Sequence, residues 1–139
     1  MRILLRIAGL NVGHYFGGNI YIMNSLPPIS TQFTTCIASR EFEVQCGDVI
    51  KKITIEIGLP VNDVITLGAN AWRCPVHISY GKIVDDLHVC GEDSYQAIGL
   101  AFHLVQCELI KKTEQGMKLS LFGAPYVPFE TNYEAMKFL

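Results

Sequence analysis

The chain is short of charge: 17% of its 139 residues are Asp, Glu, Lys or Arg, against about 25% in an average globular protein. Its 11 basic and 13 acidic residues leave a formal charge of −2, and the only adjacent basic pairs are Lys51-Lys52 and Lys111-Lys112. A surface that tracks phosphates needs a denser positive stripe, so no nucleic-acid partner is expected. The glycines form neither GxxxxGK[ST] nor GxGxxG, which removes the common phosphate cradles, and no cofactor is expected. Five cysteines, at 36, 46, 74, 90 and 107, form an odd set without CxxC spacing. Such a set reads as reduced thiols in the cytoplasm rather than a secreted disulfide scaffold.

The opening MRILLRIAGLNVGHYFGGNIYIM begins like a signal peptide, but Arg6 interrupts its apolar run and Asn11, His14 and Asn19 dilute the remainder. It has too many polar residues for a membrane-spanning helix and lacks a small-x-small cleavage pattern, so no membrane partner is expected. Residues 1–33 read as an extension, either disordered or translated upstream of a natural start at Met23. Asn24 to Ser30 form an irregular lead-in, because the adjacent Pro27 and Pro28 restrict the backbone and lack donors.

What the chain does have is apolar patterning. Hydrophobic residues make up 50% of it and the mean hydropathy is +0.27. A chain of this length forms one domain that buries roughly two thirds of its unfolded surface. A strand is predicted from Thr34 to Val44, with Phe42 and Val44 facing inward against Glu41 and Glu43. Gly47-Asp48 marks a turn. Ile53, Ile55 and Ile57 then share one face, with Lys52, Thr54 and Glu56 on the other, until Gly58 and Pro60 end the strand. Val61 to Asn70 reads either as a short strand or as an irregular connection.

The clearest pattern runs from Ala71 to Leu109. Trp72, Cys74, Val76, Ile78 and Tyr80 alternate with Arg73, Pro75, His77 and Ser79, which predicts a strand with Trp72 as a core anchor. Pro75 places that strand at a sheet edge or beside a bulge. After a turn at Tyr80-Gly81-Lys82, Leu87 and Val89 face inward while Asp86, His88 and Cys90 face away. Asp93 with Gln96 forms a helix-capping signal. Ala97, Ala101, Leu104 and Val105, with Ile98, Phe102 and Leu109, predict a broad apolar helix face that ends near Gly116. Met117, Leu119 and Leu121 predict one more strand. The fold class is therefore α+β, a small mainly antiparallel β-sheet with one principal amphipathic helix packed on one face. The core domain spans 34–122, and 123–139 form a tail that ends in a short helix near Glu130 to Leu139.

Chemistry is sparse in this pattern. His77, His88 and Cys90 share the outward parity of the hairpin and, with Asp86, are the candidate metal ligands, since zinc accepts imidazole, thiolate and carboxylate. Scattered polar residues on a wet face are the competing account. His103 and Cys107 are four apart on the helix, which brings them within reach without supplying an activated thiol. Glu41 and Glu43 line one strand, whereas glycoside chemistry requires two carboxylates across a cleft. No catalytic residue is assigned and the reading leans away from an enzyme. The candidate interaction surface is the outer sheet face: Lys52, Thr54, Glu56, Arg73, His77 and His88.

Three pieces carry a family resemblance: Ile57-Gly58-Leu59-Pro60, Trp72-Arg73-Cys74-Pro75-Val76, and Val89-Cys90-Gly91-Glu92-Asp93-Ser94-Tyr95-Gln96-Ala97-Ile98. In that order, over Phe42 to Leu109, the chain resembles the bacterial DUF6968 family of domains of unknown function. The resemblance implies a bacterial cytoplasmic protein without an assigned reaction and transfers no catalytic residue. The expected function is a non-enzymatic protein-interaction module with an immunity-like or regulatory role, its partner another protein. The alternative is a hydrolase or metal-dependent enzyme that uses the outer hairpin face.

Overall fold

The computed structural model describes residues 26–128. Two hairpins make up most of a seven-stranded sheet: β1 (Cys36–Cys46) with β2 (Val49–Gly58), and β4 (Ala71–Tyr80) with β5 (Ile83–Gly91), which pairs with β4 alone. Each turns on a glycine with positive φ, Gly47 and Gly81, both at +61°. Glycine at the first central position of a two-residue loop makes a type II′ turn, whose twist matches the flanking strands. β2 pairs antiparallel with β4 through Ile53↔Tyr80 to Ile57↔Val76, so both hairpin tips lie at one end of the sheet.

The ambiguous segment after Pro60 is a strand, β3 (Val61–Val64), which pairs with the same edge of β4 as β2 does. Ile57 opposes Val76 and Val61 opposes Arg73, so one more residue stands on β2–β3 than on β4 between these pairs. β3 thus continues β2 past a bulge at Gly58-Leu59-Pro60. The bulge accounts for Pro75 in an interior strand. A two-residue turn makes Tyr80↔Ile83 a hydrogen-bonded pair, and alternation then points the missing N–H of Pro75 away from β5, toward the bulge. There the Gly58 carbonyl accepts the Cys74 thiol at 3.4 Å.

α1 (Ser94–Glu114) covers the inner face. Asp93 accepts the Gln96 backbone N–H at 2.7 Å, as the sequence signal requires, and the Gln96 side chain reaches back one residue beyond the cap to accept the Glu92 N–H at 2.7 Å. Gly91 lets the helix start against β5: a Cβ there would lie 2.7 Å from the Ala97 nitrogen. Ala97, Ala101, Val105 and Leu109 form the buried stripe, and small residues at its first two positions bring the helix axis close to the sheet. The core joins this stripe to Phe42, Val44, Ile53, Ile55, Ile57, Cys74, Val76, Ile78 and Leu119. Two expectations need correction. Phe102 is 53% exposed, because the contact stripe follows the four-residue repeat and leaves it at the flank. Trp72 is half-buried against the core margin, near the strand end, whereas Cys74, Val76 and Ile78 occupy the centre.

The helix stops at Gly116 (φ +88°), where the Gly116 and Met117 N–H groups donate to the carbonyls of Thr113 and Lys112. β6 (Lys118–Leu121) then pairs with β1, and β7 (Ala124–Tyr126), which the alternation does not indicate, closes the sheet beyond it. Pro125 is compatible with that edge position. The chain is thus an α+β domain with one helix packed on an open antiparallel sheet. The expected terminal helix and residues 1–25 lie outside the described residues.

Candidate interaction face

Strand alternation and register bring the polar residues of β1, β2, β4 and β5 onto the face opposite the helix. Across it run Glu43↔Lys52, Glu41↔Thr54, Thr54↔Ser79, Glu56↔His77, His77↔Asp86, Pro75↔His88 and Arg73↔Cys90. All six residues of the sequence-derived interaction surface therefore share one face, but they are not equally accessible. Lys52 is exposed and its ammonium lies 2.7 Å from Glu41 Oε1. The hydrogen bond to Glu41, reinforced by that carboxylate's charge, raises the lysine above its ordinary pKa. Thr54 and Glu56 are half-buried.

Arg73 corrects the picture of a uniformly wet surface, because it is only 2% exposed. Its Nε and Nη2 donate to the two oxygens of Asp63 on β3, at 3.0 and 2.7 Å, and its Nη1 donates to the Gln32 carbonyl at 2.7 Å. A buried guanidinium requires partners of this kind, since the desolvated charge is otherwise very costly. The cover comes from residues 26–35, a strap without regular structure that crosses the outer face. The Phe33 ring stacks on His77 with centroids 3.9 Å apart and planes 27° from parallel. Thr34 Oγ1 donates to the Leu59 carbonyl and the Leu59 N–H donates to the Thr35 carbonyl, both at 2.7 Å. The crossing is close: a Cβ on Gly58 would lie 2.5 Å from Thr34 Oγ1 and 2.7 Å from the Pro75 ring.

Of the candidate metal ligands, His77 pairs through Nε2 with Asp86 at 2.5 Å, directly across the β4–β5 ladder. His88 stands opposite Pro75 and Cys90 opposite Arg73. Burial lowers the His88 pKa below the usual histidine value, and the Arg73 charge lowers it further. Among the described residues no group of three or more His, Cys, Asp and Glu side chains is placed to hold a metal ion. The hairpin brings His77, His88 and Cys90 to one face but spaces them along it.

Elsewhere, His103 Nε2 and Cys107 Sγ are 3.6 Å apart on the helix. Cys74 is fully buried, and burial pushes its thiol pKa up, which keeps it protonated. A depression of about 420 Å³ lies beside Glu41, Glu43 and the Phe122-Gly123 turn, away from the strap. Sequence reasoning misses Asp63 and the strap residues Gln32 and Phe33. Alternation cannot report a bulge that moves Asp63 onto Arg73, and an irregular segment has no period that would disclose its docking site. Gly58 is the available signal, although by itself it reads only as a strand stop.

No helix among the described residues is long and apolar enough to cross a membrane. Comparisons with curated proteins and with solved structures return no match. Residues 38–126, from near the start of β1 to the end of β7, match the family described as Domain of unknown function (DUF6968), and the chain belongs to that family.

Proposed function

We propose that this domain is a non-enzymatic protein-interaction module of the bacterial cytoplasm, with an immunity-like or regulatory role, and that it binds its partner through the outer sheet face. The observation that carries this reading is the charge pattern across the ladder. Glu43 opposes Lys52, Glu41 pairs with its ammonium, and Glu56 lies four residues along the same side of β2, on the face that the helix leaves uncovered. A flat surface with both signs in fixed positions selects a partner by complementarity and penalises a mismatched one.

The test is affinity capture from bacterial lysate with the intact chain and with a Lys52→Glu/Glu56→Lys variant. Neither side chain belongs to the buried core, so the variant keeps the fold. A protein recovered by the parent chain should be depleted at least tenfold with the variant. Equal recovery by both chains rules out the outer face as the binding surface.

A further inference from the structure

The strap makes four contacts; one continues the β1–β2 ladder and the other three describe a recognition groove. Two are to its backbone: Arg73 Nη1 donates to the Gln32 carbonyl, and the Leu59 N–H donates to the Thr35 carbonyl. Contacts of this kind hold any extended chain and supply affinity without regard to sequence. The other two read side chains. His77 offers its ring to Phe33, and the Leu59 carbonyl accepts the Thr34 hydroxyl. Gly58 forms the floor, where even a methyl group would collide with that threonine. Pro27 and Pro28 precede the contacts, which favours an extended approach with little conformational freedom to lose.

The groove residues fall inside the family match. Gly58, Leu59, Arg73, Pro75 and His77 all lie within the matched span 38–126, whereas the strap precedes it. The groove therefore belongs to the matched region, and the segment that fills it precedes that region.

We propose that this outer-face groove is a binding site for an extended peptide in which an aromatic residue is followed directly by threonine, and that the strap is its intramolecular ligand. This rests on the reading of the outer face as a protein-binding surface and names the kind of segment the partner presents. The aromatic ring covers His77, the hydroxyl donates to Leu59, and the preceding carbonyl meets Arg73. The strap is joined directly to β1 and so competes intramolecularly for the groove, and a partner peptide enters only as the strap leaves. The strap therefore sets the threshold for binding.

The experiment titrates a synthetic peptide with the sequence of residues 26–35 into the full-length parent chain and into a full-length Phe33→Ala variant, followed by NMR of the Arg73 Nε–H and the Leu59 and His77 amides. Loss of the ring contact weakens the strap and should make the variant bind the peptide roughly tenfold or more tightly than the parent. The same peptide with alanine in place of its phenylalanine should bind the variant at least tenfold more weakly. Thr34→Val, which keeps the side-chain shape and removes the hydroxyl, should shift affinity in the same direction as Phe33→Ala, and it carries the test if that variant unfolds. Equal affinity for parent and variants, or shifts outside the groove, overturns the proposal. So does a concentration-dependent dimer that the peptide cannot dissociate, which would identify the strap of a second copy as the occupant. The titration reads the groove alone, so its failure leaves the charge-reversal capture standing, and failure of that capture leaves the titration standing.

Discussion

Removal of the Asp63 carboxylate gives the sharpest measure of how the outer face is held together. Asp63 accepts from two guanidinium nitrogens of Arg73, and Arg73 is 2% exposed while Asp63 is 37% exposed. In Asp63→Ala the arginine keeps the Gln32 carbonyl as its one described partner. Stripping one partner from a fully buried ion pair costs about 3–5 kcal/mol. Here the carboxylate side is open to water, which can replace part of what is lost, so a cost of roughly 2–3 kcal/mol is expected. That is a large share of the roughly 5–15 kcal/mol that stabilises a domain. Urea unfolding followed by Trp72 fluorescence should show a lower midpoint at unchanged slope. Arg73→Met in the same background should recover most of the loss, since an apolar side chain leaves no charge to compensate. A loss below about 0.5 kcal/mol for Asp63→Ala, the range of an ordinary surface change, would refute the account. So would strict additivity of the two substitutions, since contacting residues should couple.

The same geometry yields two further expected outcomes. Burial and then Arg73 lower the His88 pKa in the folded state. As pH falls through about 6.5 the unfolded chain therefore takes up this proton before the native one does, and stability declines. Above that pH the contribution is fully present, and His88→Gln should flatten the slope of unfolding midpoint against pH between about pH 5 and 7. A parent-like slope in the variant would show that His88 is not the group responsible. Gly91→Ala would place a Cβ 2.7 Å from the backbone nitrogen of Ala97, which cannot rotate aside. About 1–3 kcal/mol should be lost through overpacking, with faster amide exchange concentrated in the first turn of α1. A thermal midpoint equal to that of the parent would remove the close approach from the explanation.

Much of the architecture is legible in the amino-acid order because periodicity reports burial directly. Ile53, Ile55 and Ile57 at period two, and Cys74, Val76 and Ile78 beside them, identify the inner face by alternation alone. Asp93 and Gln96 locate the start of the helix, and Gly116 its end, because capping chemistry is local to a few residues. The helix stripe is narrower than its apolar pattern suggests. Which of several apolar neighbours touches the sheet depends on the axis direction, so Phe102 fits the pattern of a core residue although it lies at the flank. β7 has no sequence signature, because three residues containing a proline carry no period.

The candidate face divides along the same line. Strand parity alone puts Lys52, Thr54, Glu56, Arg73, His77 and His88 on one side of the sheet, because a side chain in a strand has only two directions available. Parity says nothing about what lies above that side. The single extra residue at Gly58-Leu59-Pro60, set against Pro75, carries β3 to where Asp63 meets Arg73. The strap then arrives from more than twenty residues earlier in the chain to seal the pair. The amino-acid order by itself determined the elements, their inner faces and the turns, since each depends on neighbours a few residues away. Only the tertiary structure decided that Arg73 is buried, that His77 carries an aromatic lid and that the strap lies across part of the outer face. Those outcomes depend on contacts between residues 10 to 44 positions apart, for which no local pattern stands in.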